Sequence, residues 1–582
     1  MVQTDSAVRR PEAIAREGAA AAWITRLDEP LPASGSGPLD GLVFAAKDNI
    51  DVAGLPTTAA CPAFAYTAQR HATAVRKLLD AGARLAGKTN LDQFACGLNG
   101  TRSPYGAVPN AFDAAYVSGG SSSGSAYAVA AGEVDFALGT DTAGSGRVPA
   151  GLNNIVGLKP SKGLISAYGV VPAAQSVDCV SIFARSVGLA AQVLAQALGA
   201  DPYDPYSRTL ALKDQPFPAR FCFGVPDRLE FFGDEAARAA FGQAVQRLKE
   251  MGGTAVAIDY APLAKAADLL YGSALVAERY AAVRGFFDGR EDDVMEPVRS
   301  IIAAGCGYSA AEWCEAQVRL QALGQQAALM WDEIDLLLVP TAPTHYTIAQ
   351  MRADPVVLNR NLGAYTNFVN LLDYAALSVP SCLRADGLPF GITLVGPCAS
   401  DWQLAELGQR YHHATGLGQG ATGVALPEPL DIFGLVCPHP RPLPEGEGVR
   451  QSVQVAVVGA HLSGMPLNGQ LTERGAVLVA TSETAPDYRL FALPGTTPPK
   501  PGLLRVAPGS GTRIAVEVWD MPLEHYGSFV ALIPAPLGIG TLALADGATV
   551  QGFVCEALAT QGAQDISQHG GWRAYMAARN AS

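Results

Sequence analysis

Two glycine-rich serine loops lie close together in this chain of 582 residues. The first is GGSSSGS at 119–125 and the second is GTDTAGSGR at 139–147, so that Ser121 and Ser145 are 24 positions apart. Glycine permits positive φ and close approach of the backbone, and a loop with free N–H groups can bind a developing oxyanion. The two loops predict a serine nucleophile beside its own oxyanion site, with a second serine that moves protons.

A serine nucleophile needs a base, and histidine is scarce where it would be required. The chain has eight histidines, and only His71 precedes residue 345. Lysine can serve instead when burial lowers its pKa and keeps it neutral. Lys47 follows a short apolar run at 42–46 that is predicted to be a buried strand. A single lysine at a strand end is commonly a surface charge, but beside the two serine loops Lys47 is predicted to be the base.

The stretch 119–159 resembles the signature of the amidase family. Segments 86–94 (AGKTNLDQF), 338–343 (LVPTAP) and 388–397 (LPFGITLVGP) are also similar to that family, so the resemblance covers about residues 40–415. It implies a triad of Lys47, Ser121 in a cis peptide, and Ser145 as the nucleophile. The backbone N–H groups of Thr142, Ala143, Gly144 and Ser145 are then expected to face the oxyanion.

Two further features resemble the allophanate hydrolase subfamily. The first is the segment 139–154, with Ala143, Gly146 and the Asn153–Asn154 pair. The second is the pair of segments 457–468 and 533–540, which resemble the appended domain of that subfamily, a domain similar to the γ-glutamylcyclotransferase fold. The resemblance implies hydrolysis of allophanate to ammonia and carbon dioxide. It also implies that the appended domain helps to decarboxylate the first product, N-carboxycarbamate, and His461 is the candidate catalytic residue of that domain.

Allophanate is a small anion, and its carboxylate needs a fixed cation and a hydrogen-bond donor. Tyr271 and Arg279 are eight residues apart on a helix predicted at 269–286, on roughly one face. The resemblance implies that a tyrosine and an arginine at this spacing hold the carboxylate. A core tyrosine with a solvated arginine is the alternative, and Tyr280 with Arg284 is a competing pair.

Charge and composition exclude several classes of partner. The 41 basic and 54 acidic residues give a net charge of −13, which argues against nucleic acid or an anionic membrane as the main partner. The sequence shows no apolar stretch long enough to span a membrane and no apolar core of a secretory signal, so a cytoplasmic location is expected. The ten cysteines form no Cys-x-x-Cys pair, and no metal or cofactor is expected.

The length predicts at least two domains. We expect an amidase-signature domain at 1–435, a proline-rich linker at 436–452 and a γ-glutamylcyclotransferase-like domain at 453–582. Alternating strands and helices at 40–195 predict an α/β fold, a mixed sheet covered by helices, and the C-terminal domain is predicted to be a smaller, β-rich α+β unit. Helices are predicted at 11–27, 72–81, 123–132, 234–252, 261–331 and 401–415, and strands at 42–46, 84–87, 135–139, 334–339, 452–458, 475–480, 502–506, 514–518 and 549–556.

Three interpretations of function stay open at this point. The first is an enzyme that acts on a small anionic amide, working as a homodimer and linked in function to a urea carboxylase. The second is a general amidase or the A component of a glutaminyl-tRNA amidotransferase, which leaves the C-terminal domain unexplained. The third treats that domain as an assembly module without chemistry. His461 should line a pocket if it is catalytic and should pack at a strand end if it is structural.

Overall fold

The computed structural model describes residues 16–435, 452–495, 498–507, 509–545 and 547–581. Contacts divide the chain into two units that meet in sequence at Pro440 and Arg441, and each unit is described by itself. The linker predicted at 436–452 lies outside the described residues except for Ser452, which begins a strand.

A large mixed β-sheet forms the centre of the first unit. In the described part of this unit, eleven strands form one sheet in the order β1-β5-β2-β6-β8-β7-β12-β13-β11-β9-β10, and β3 pairs with β4. The strands are β1 Trp23–Leu31, β2 Val43–Lys47, β3 Pro56–Thr57, β4 Tyr66–Thr67, β5 Arg84–Thr89, β6 Phe136–Asp141, β7 Val156–Lys159, β8 Cys179–Ala184, β9 Phe221–Pro226, β10 Gly253–Ile258, β11 Leu336–Pro340, β12 Ala375–Leu383 and β13 Pro389–Gly396.

Helices cover this sheet, which confirms the predicted α/β architecture. They are α1 Thr73–Asp80, α2 Ser123–Ala130, α3 Val148–Leu152, α4 Val187–Ala197, α5 Glu235–Glu250, α6 Ala261–Gly272, α7 Ala277–Phe287, α8 Val298–Ala304, α9 Ala310–Ala328, α10 Ile348–Ala353, α11 Val357–Leu362, α12 Asn367–Leu371 and α13 Asp401–Thr415. Strands β6, β8, β11 and β13 are buried along their whole length. Burial on both faces is expected for central strands between two layers of helices.

The register of the central strands positions the site. Strand β2 runs parallel to β6 and β5, and Phe44 of β2 stacks on Phe136 of β6 with ring centroids 5.2 Å apart. Lys47 is the last residue of β2, and Asp141 is the last residue of β6. The carboxyl ends of parallel strands open at the same edge of a sheet, so both residues reach that edge together.

Two predicted helices differ from the structure. In the described part of 11–27, a short 3₁₀ helix at Gly18–Ala22 leads into β1, which pairs with β5 in antiparallel fashion. The alanine-rich composition favours a helix locally, but burial of Trp23 and Ile24 at the sheet outweighs that weak preference. The segment 261–331 is helical but broken into α6, α7, α8 and α9.

The second unit is smaller and rich in strands, as predicted. Its strands are β14 Ser452–Val457, β15 Val477–Glu483, β16 Tyr488–Ala492, β17 Pro501–Arg505, β18 Ala515–Pro522, β19 Leu537–Ala543, β20 Thr549–Cys555 and β21 Gln564–Asp565, and its helices are α14 Gly469–Thr472, α15 Leu523–Val530 and α16 Trp572–Ala581. Among the residues described here, one sheet has the order β15-β18-β14-β20-β19 and another the order β17-β16-β21. The sequence did not predict β16, β19 or β21.

None of the helices in the described ranges combines the length and the apolar character needed to cross a bilayer.

Candidate active site

Lys47 lies at the carboxyl end of β2, fully buried, and its amino group is held by two hydroxyls. Lys47 Nζ donates to Ser121 Oγ at 2.7 Å and to Thr140 Oγ1 at 2.7 Å. Burial lowers the pKa of Lys47 to about 7, while the carboxylates of Asp92, Asp178 and Asp141 raise it. A lysine with this pKa is neutral in a large fraction of molecules near pH 7 and can accept a proton.

The nearby cations Lys88 and Arg147 do not cause this shift. Lys88 pairs with Asp48 at 3.2 Å, and Arg147 pairs with Asp141 at 2.9 Å. Each cation is therefore neutralised by its own carboxylate. The loss of hydration alone keeps Lys47 easy to deprotonate.

Ser121 is placed by a turn that packs on Asp92. The Gly120–Ser121 peptide is cis, and the carbonyl of Ser121 accepts a hydrogen bond from the Asp92 N–H at 3.0 Å. The Asp92 carboxylate in turn accepts from the N–H groups of Asn99, Gly100 and Arg102. A Cβ at Gly120 would overlap that carboxylate, so this position requires glycine.

Ser145 lies in the loop between β6 and α3 and reaches the same Asp92 loop. Ser145 Oγ donates to the Gly97 carbonyl at 3.4 Å. Within the residues that the structure describes, no hydrogen bond joins Ser145 Oγ directly to Ser121 Oγ. The two serines are buried and are both attached to the segment 92–102, which brings them to one place without a direct contact.

Asp141 holds the loop that carries Ser145. Its carboxylate accepts from the N–H groups of Gly144 (2.8 Å) and Gly146 (3.0 Å) and from Arg147 Nε (2.9 Å). Burial would raise the pKa of Asp141, but the charge and hydrogen bonds of Arg147 outweigh it and hold the pKa below its usual value. Gly144 has φ +132°, and a Cβ there would overlap the Thr366 side chain, so the loop requires glycine at this position too.

The predicted oxyanion donors differ from the structure at Gly144. The Gly144 N–H already donates to Asp141, so it is not available to a developing charge in this conformation. The N–H groups of Thr142, Ala143 and Ser145 have no hydrogen-bond acceptor in the described ranges. The loop therefore offers three of the four predicted donors.

Tyr271 and Arg279 meet, although not on one helix. Tyr271 is in the last turn of α6, Ser273 interrupts the helix with extended backbone, and Arg279 is in the first turn of α7. The single helix predicted at 269–286 is therefore wrong. The Ser273 side chain accepts from the Leu275 N–H and donates to the Leu269 carbonyl, and these local bonds compete with a continuous helix.

The contact between the two side chains is direct. Arg279 Nη2 donates to the Tyr271 hydroxyl at 3.0 Å, and the guanidinium carbon lies 5.0 Å from the centre of the tyrosine ring. Arg279 is only 3% exposed, and its Nε and Nη1 atoms have no hydrogen-bond partner among the described residues. A buried guanidinium with two unused donors is suited to a carboxylate.

The competing pair is less suited to this role. Tyr280 and Arg284 both contact Asp288, at 2.8 Å and 3.5 Å. The Arg284 side chain is 68% exposed. An exposed arginine already facing a carboxylate binds an anion weakly, so the pair at 271 and 279 remains the better candidate.

His461 lies in the second unit, four residues after the end of β14. It lines a cavity of about 150 Å³ together with Gln470, Lys500 and Phe553, and its Nε2 is 2.9 Å from Gln470 Oε1. The ring also stacks on Phe553 with centroids 4.9 Å apart. The histidine thus both lines a pocket and packs after a strand, so its position alone does not separate a catalytic histidine from a structural one.

Four polar residues around the site were not predicted from the sequence. Asp92, Thr140, Asp141 and Asp178 surround Lys47 or hold the two serine loops. Thr140 and Asp141 belong to the glycine-rich segment 139–147 and end strand β6, so their position next to Ser145 in the sequence could have indicated them. The contacts of Asp92 with Ser121 and of Asp178 with Thr142 join residues far apart in the chain, for which a single sequence gives no signal.

The residues of the two units match two family models. The amidase family model matches residues 13–405, and the model of the allophanate hydrolase C-terminal domain matches residues 453–577. Each match falls on one of the two units of the structure.

Several curated proteins and solved structures are similar to this chain. The urea amidolyase of Saccharomyces cerevisiae is 43% identical over 93% of this chain, which spans about 30% of the length of that relative. The A component of the glutamyl-tRNA(Gln) amidotransferase of Haloarcula marismortui is 34% identical, and the match covers 66% of this chain and 97% of that protein.

A solved allophanate hydrolase from Kluyveromyces lactis has a TM-score of 0.68 and 42% identity, and the match covers 93% of this chain and 88% of that one. With the amidase model matching well over half of the residues, this chain belongs to the amidase family and is an amidohydrolase.

Proposed function

We propose that this protein is an allophanate hydrolase that works through Lys47, Ser121 and Ser145. One observation carries the proposal: a fully buried lysine with a pKa lowered to about 7 donates to a serine hydroxyl at 2.7 Å. Such a pair can take a proton from a nucleophile and return it to a leaving group. The similarity to the Kluyveromyces lactis allophanate hydrolase supports the choice of substrate.

In the proposed reaction, Ser145 Oγ attacks the carbonyl carbon of the terminal amide. Its proton passes to Ser121, and Ser121 passes its own proton to neutral Lys47. Ser145 Oγ must first leave the Gly97 carbonyl and turn toward Ser121, a rearrangement that substrate binding brings about. The N–H groups of Thr142, Ala143 and Ser145 stabilise the oxyanion.

Collapse of the tetrahedral intermediate then breaks the C–N bond. Ser121 gives a proton to the leaving ammonia and recovers one from Lys47. A water molecule, deprotonated through the same relay, hydrolyses the acyl-enzyme and releases N-carboxycarbamate with Ser145 restored.

The carboxylate of the substrate is assigned to Arg279 and Tyr271. The Nε and Nη1 donors of Arg279, which have no partner among the described residues, are left for the substrate carboxylate, while the Tyr271 hydroxyl accepts from Nη2 and holds the guanidinium. An uncharged amide would lack the partner that this buried cation requires.

We further propose that the second unit has a γ-glutamylcyclotransferase-like fold and takes part in the decarboxylation of N-carboxycarbamate through His461 in its pocket. The match to the allophanate hydrolase C-terminal domain supports this assignment. An alternative is a general amidase or the A component of an amidotransferase, with a non-catalytic C-terminal assembly module. The similarity to the Haloarcula marismortui protein favours that alternative, but that match covers 66% of this chain, whereas the match to the Kluyveromyces lactis allophanate hydrolase covers 93%.

The wider setting is also part of the proposal. We assign the amidase-signature domain to 1–435, the linker to 436–452 and the C-terminal domain to 453–582, in a homodimer located in the cytoplasm. A functional link to a urea carboxylase is supported by the similarity to urea amidolyase.

The test is the release of ammonia from allophanate, biuret, malonamate and glutamine, measured side by side. Allophanate should give the highest kcat/KM. Malonamate keeps the carboxylate and biuret lacks it, so malonamate should be the better of the two. Preference for glutamine or biuret over both anions would favour the alternative, and Ser145→Ala measured in parallel excludes a contaminating amidase.

A further inference from the structure

Asp178 lies beside the start of the loop that carries Ser145. Strands β6 and β8 are antiparallel, with Asp141 opposite Cys179. The residue before β8 is therefore next to the residue after β6, which makes Asp178 a neighbour of Thr142. Asp178 also lines a cleft of about 1040 Å³ in the first unit, together with Ser176 and Glu278.

The contacts of Asp178 join Thr142 to a second loop. Thr142 Oγ1 donates to Asp178 Oδ1 at 2.5 Å. The other carboxylate oxygen accepts from the N–H groups of Ala173 at 2.8 Å and Ala174 at 3.1 Å. Two backbone bonds fix the carboxylate, and its remaining oxygen fixes the Thr142 side chain.

The nucleophile loop is thus fixed at both ends by carboxylates. Asp141 holds its later part through the N–H groups of Gly144 and Gly146, and Asp178 holds its first residue through the Thr142 hydroxyl. The N–H groups of Thr142 and Ala143 lie between these two anchors. Oxyanion donors stabilise a transition state only when they are held in the right place before the reaction.

We propose that Asp178 is a positioning residue that acts through the Thr142 hydroxyl to hold the oxyanion donors at 142–143 in place. This inference rests on the proposed function, because it assumes that Ser145 is the nucleophile. Asp178 itself touches no reacting atom.

Substitution of Asp178 is a poor test, because its charge acts on other groups of the site. Asp178 attracts both Lys47 and Arg279 electrostatically. Thr142→Val is cleaner, since it removes the hydroxyl, keeps the size of the side chain and leaves the carboxylate in place. Thr142→Ser restores the hydroxyl and serves as the conservative rescue.

The chain offers a matched control away from the site. Thr73 Oγ1 donates to Asp201 Oδ2 at 2.5 Å, and Thr73 is also buried. Thr73→Val removes the same kind of bond at the start of α1, so it reports what the loss of a buried threonine–aspartate hydrogen bond does to folding alone.

We expect Thr142→Val to lower kcat by about 10- to 100-fold with KM changed by less than about twofold, because misplaced groups slow the chemical step while the carboxylate site is untouched. Thr142→Ser should recover most of the lost kcat. Thr73→Val should keep the wild-type kcat, and the thermal unfolding midpoints of Thr142→Val and Thr73→Val should be similar.

A Thr142→Val enzyme with wild-type kcat overturns the inference. So does a rise in KM without a fall in kcat, or a loss of kcat that Thr142→Ser does not repair. The series is run on allophanate and on the best uncharged amide. If the wild type ignores allophanate, the proposed substrate is wrong, but the change in kcat on the uncharged amide still decides the role of Asp178.

Discussion

The candidate sites of the two units both contain a buried base, but the bases have different partners. Burial lowers the pKa of Lys47 and of His461 alike. Lys47 donates to the hydroxyls of Ser121 and Thr140, whereas His461 contacts the amide of Gln470 and lies against Phe553 and Phe529.

The partners of Lys47 can relay a proton, whereas the partners of His461 can only bind or orient a molecule. A hydroxyl can pass a proton onward, so the bond from Lys47 to Ser121 connects the base with a group that can relay a proton. The amide of Gln470 cannot do this near neutral pH. This contrast supports the proposal that amide cleavage belongs to the first unit, with His461 assigned to the handling of N-carboxycarbamate in the second.

The largest effect is expected from removing the nucleophile of the first site. Ser145→Ala should lower kcat for ammonia release by at least about 10⁴-fold, because members of a catalytic unit act together. Ser121→Ala should cause a loss of similar size. Ammonia release with purified protein measures both, and turnover near the wild-type rate in Ser145→Ala would show that the nucleophile lies elsewhere.

The next effect concerns the choice of substrate. Arg279→Ala should lower kcat/KM for allophanate and raise the corresponding activation free energy by about 2–5 kcal/mol, the cost of removing one partner of a desolvated charge pair. An uncharged amide such as biuret should lose much less. Arg284→Ala, an exposed arginine on the same helix α7, is the control, and equal losses on charged and uncharged substrates would make Arg279 structural.

A smaller effect is expected at the second site. His461→Ala should leave the first ammonia release unchanged and lengthen the lifetime of N-carboxycarbamate several-fold, bounded by its unaided decomposition. Carbon-13 NMR with labelled allophanate follows that intermediate. The control is His569→Ala, which removes a histidine ring that packs on Tyr575 in the same unit. Identical carbon dioxide release by the wild type, His461→Ala and His569→Ala would remove the case for chemistry at His461.

The smallest effect is expected from removing the second unit altogether. A protein ending at Leu435 contains Lys47, both serines and Arg279, so its kcat for the first ammonia release should stay within about threefold of the full chain. Ammonia release and the sedimentation of both proteins should be measured together. A folded but inactive protein would show that the first site depends on the second unit.

The sequence predicted what local motifs determine. The glycine and serine loops indicated Ser121 and Ser145, and the apolar run before Lys47 indicated a buried strand end. It also predicted the mixed sheet of the first unit and the β-rich second unit, since these follow from alternating apolar segments.

The features that the sequence did not predict depend on individual hydrogen bonds, some of them local and some between distant residues. The break at Ser273 was missed because apolar spacing continues across it, while two side-chain hydrogen bonds end the helix. The use of the Gly144 N–H by Asp141 is a detail of loop geometry that composition does not reveal. Asp178 meets Thr142 only because β6 and β8 are neighbours, and that pairing joins segments 36 residues apart.

Neutral Lys47 is assigned as the base of the first site, and the pH dependence of kcat/KM tests this assignment most directly. Because the pKa of Lys47 is lowered to about 7, the lysine is protonated and inactive below that pH and neutral above it. With an uncharged amide, kcat/KM should rise about tenfold per pH unit below pH 7 and then level off.

Thr140→Val sharpens the measurement, because it removes a hydroxyl that accepts from Lys47 Nζ and does not contact Asp178. Loss of that acceptor disfavours the ammonium form, so the rising limb should move to lower pH. A limb near pH 7 that shifts downward in Thr140→Val is the predicted result. An optimum near pH 5, or a limb that Thr140→Val leaves in place, would contradict the assignment of Lys47 as the base.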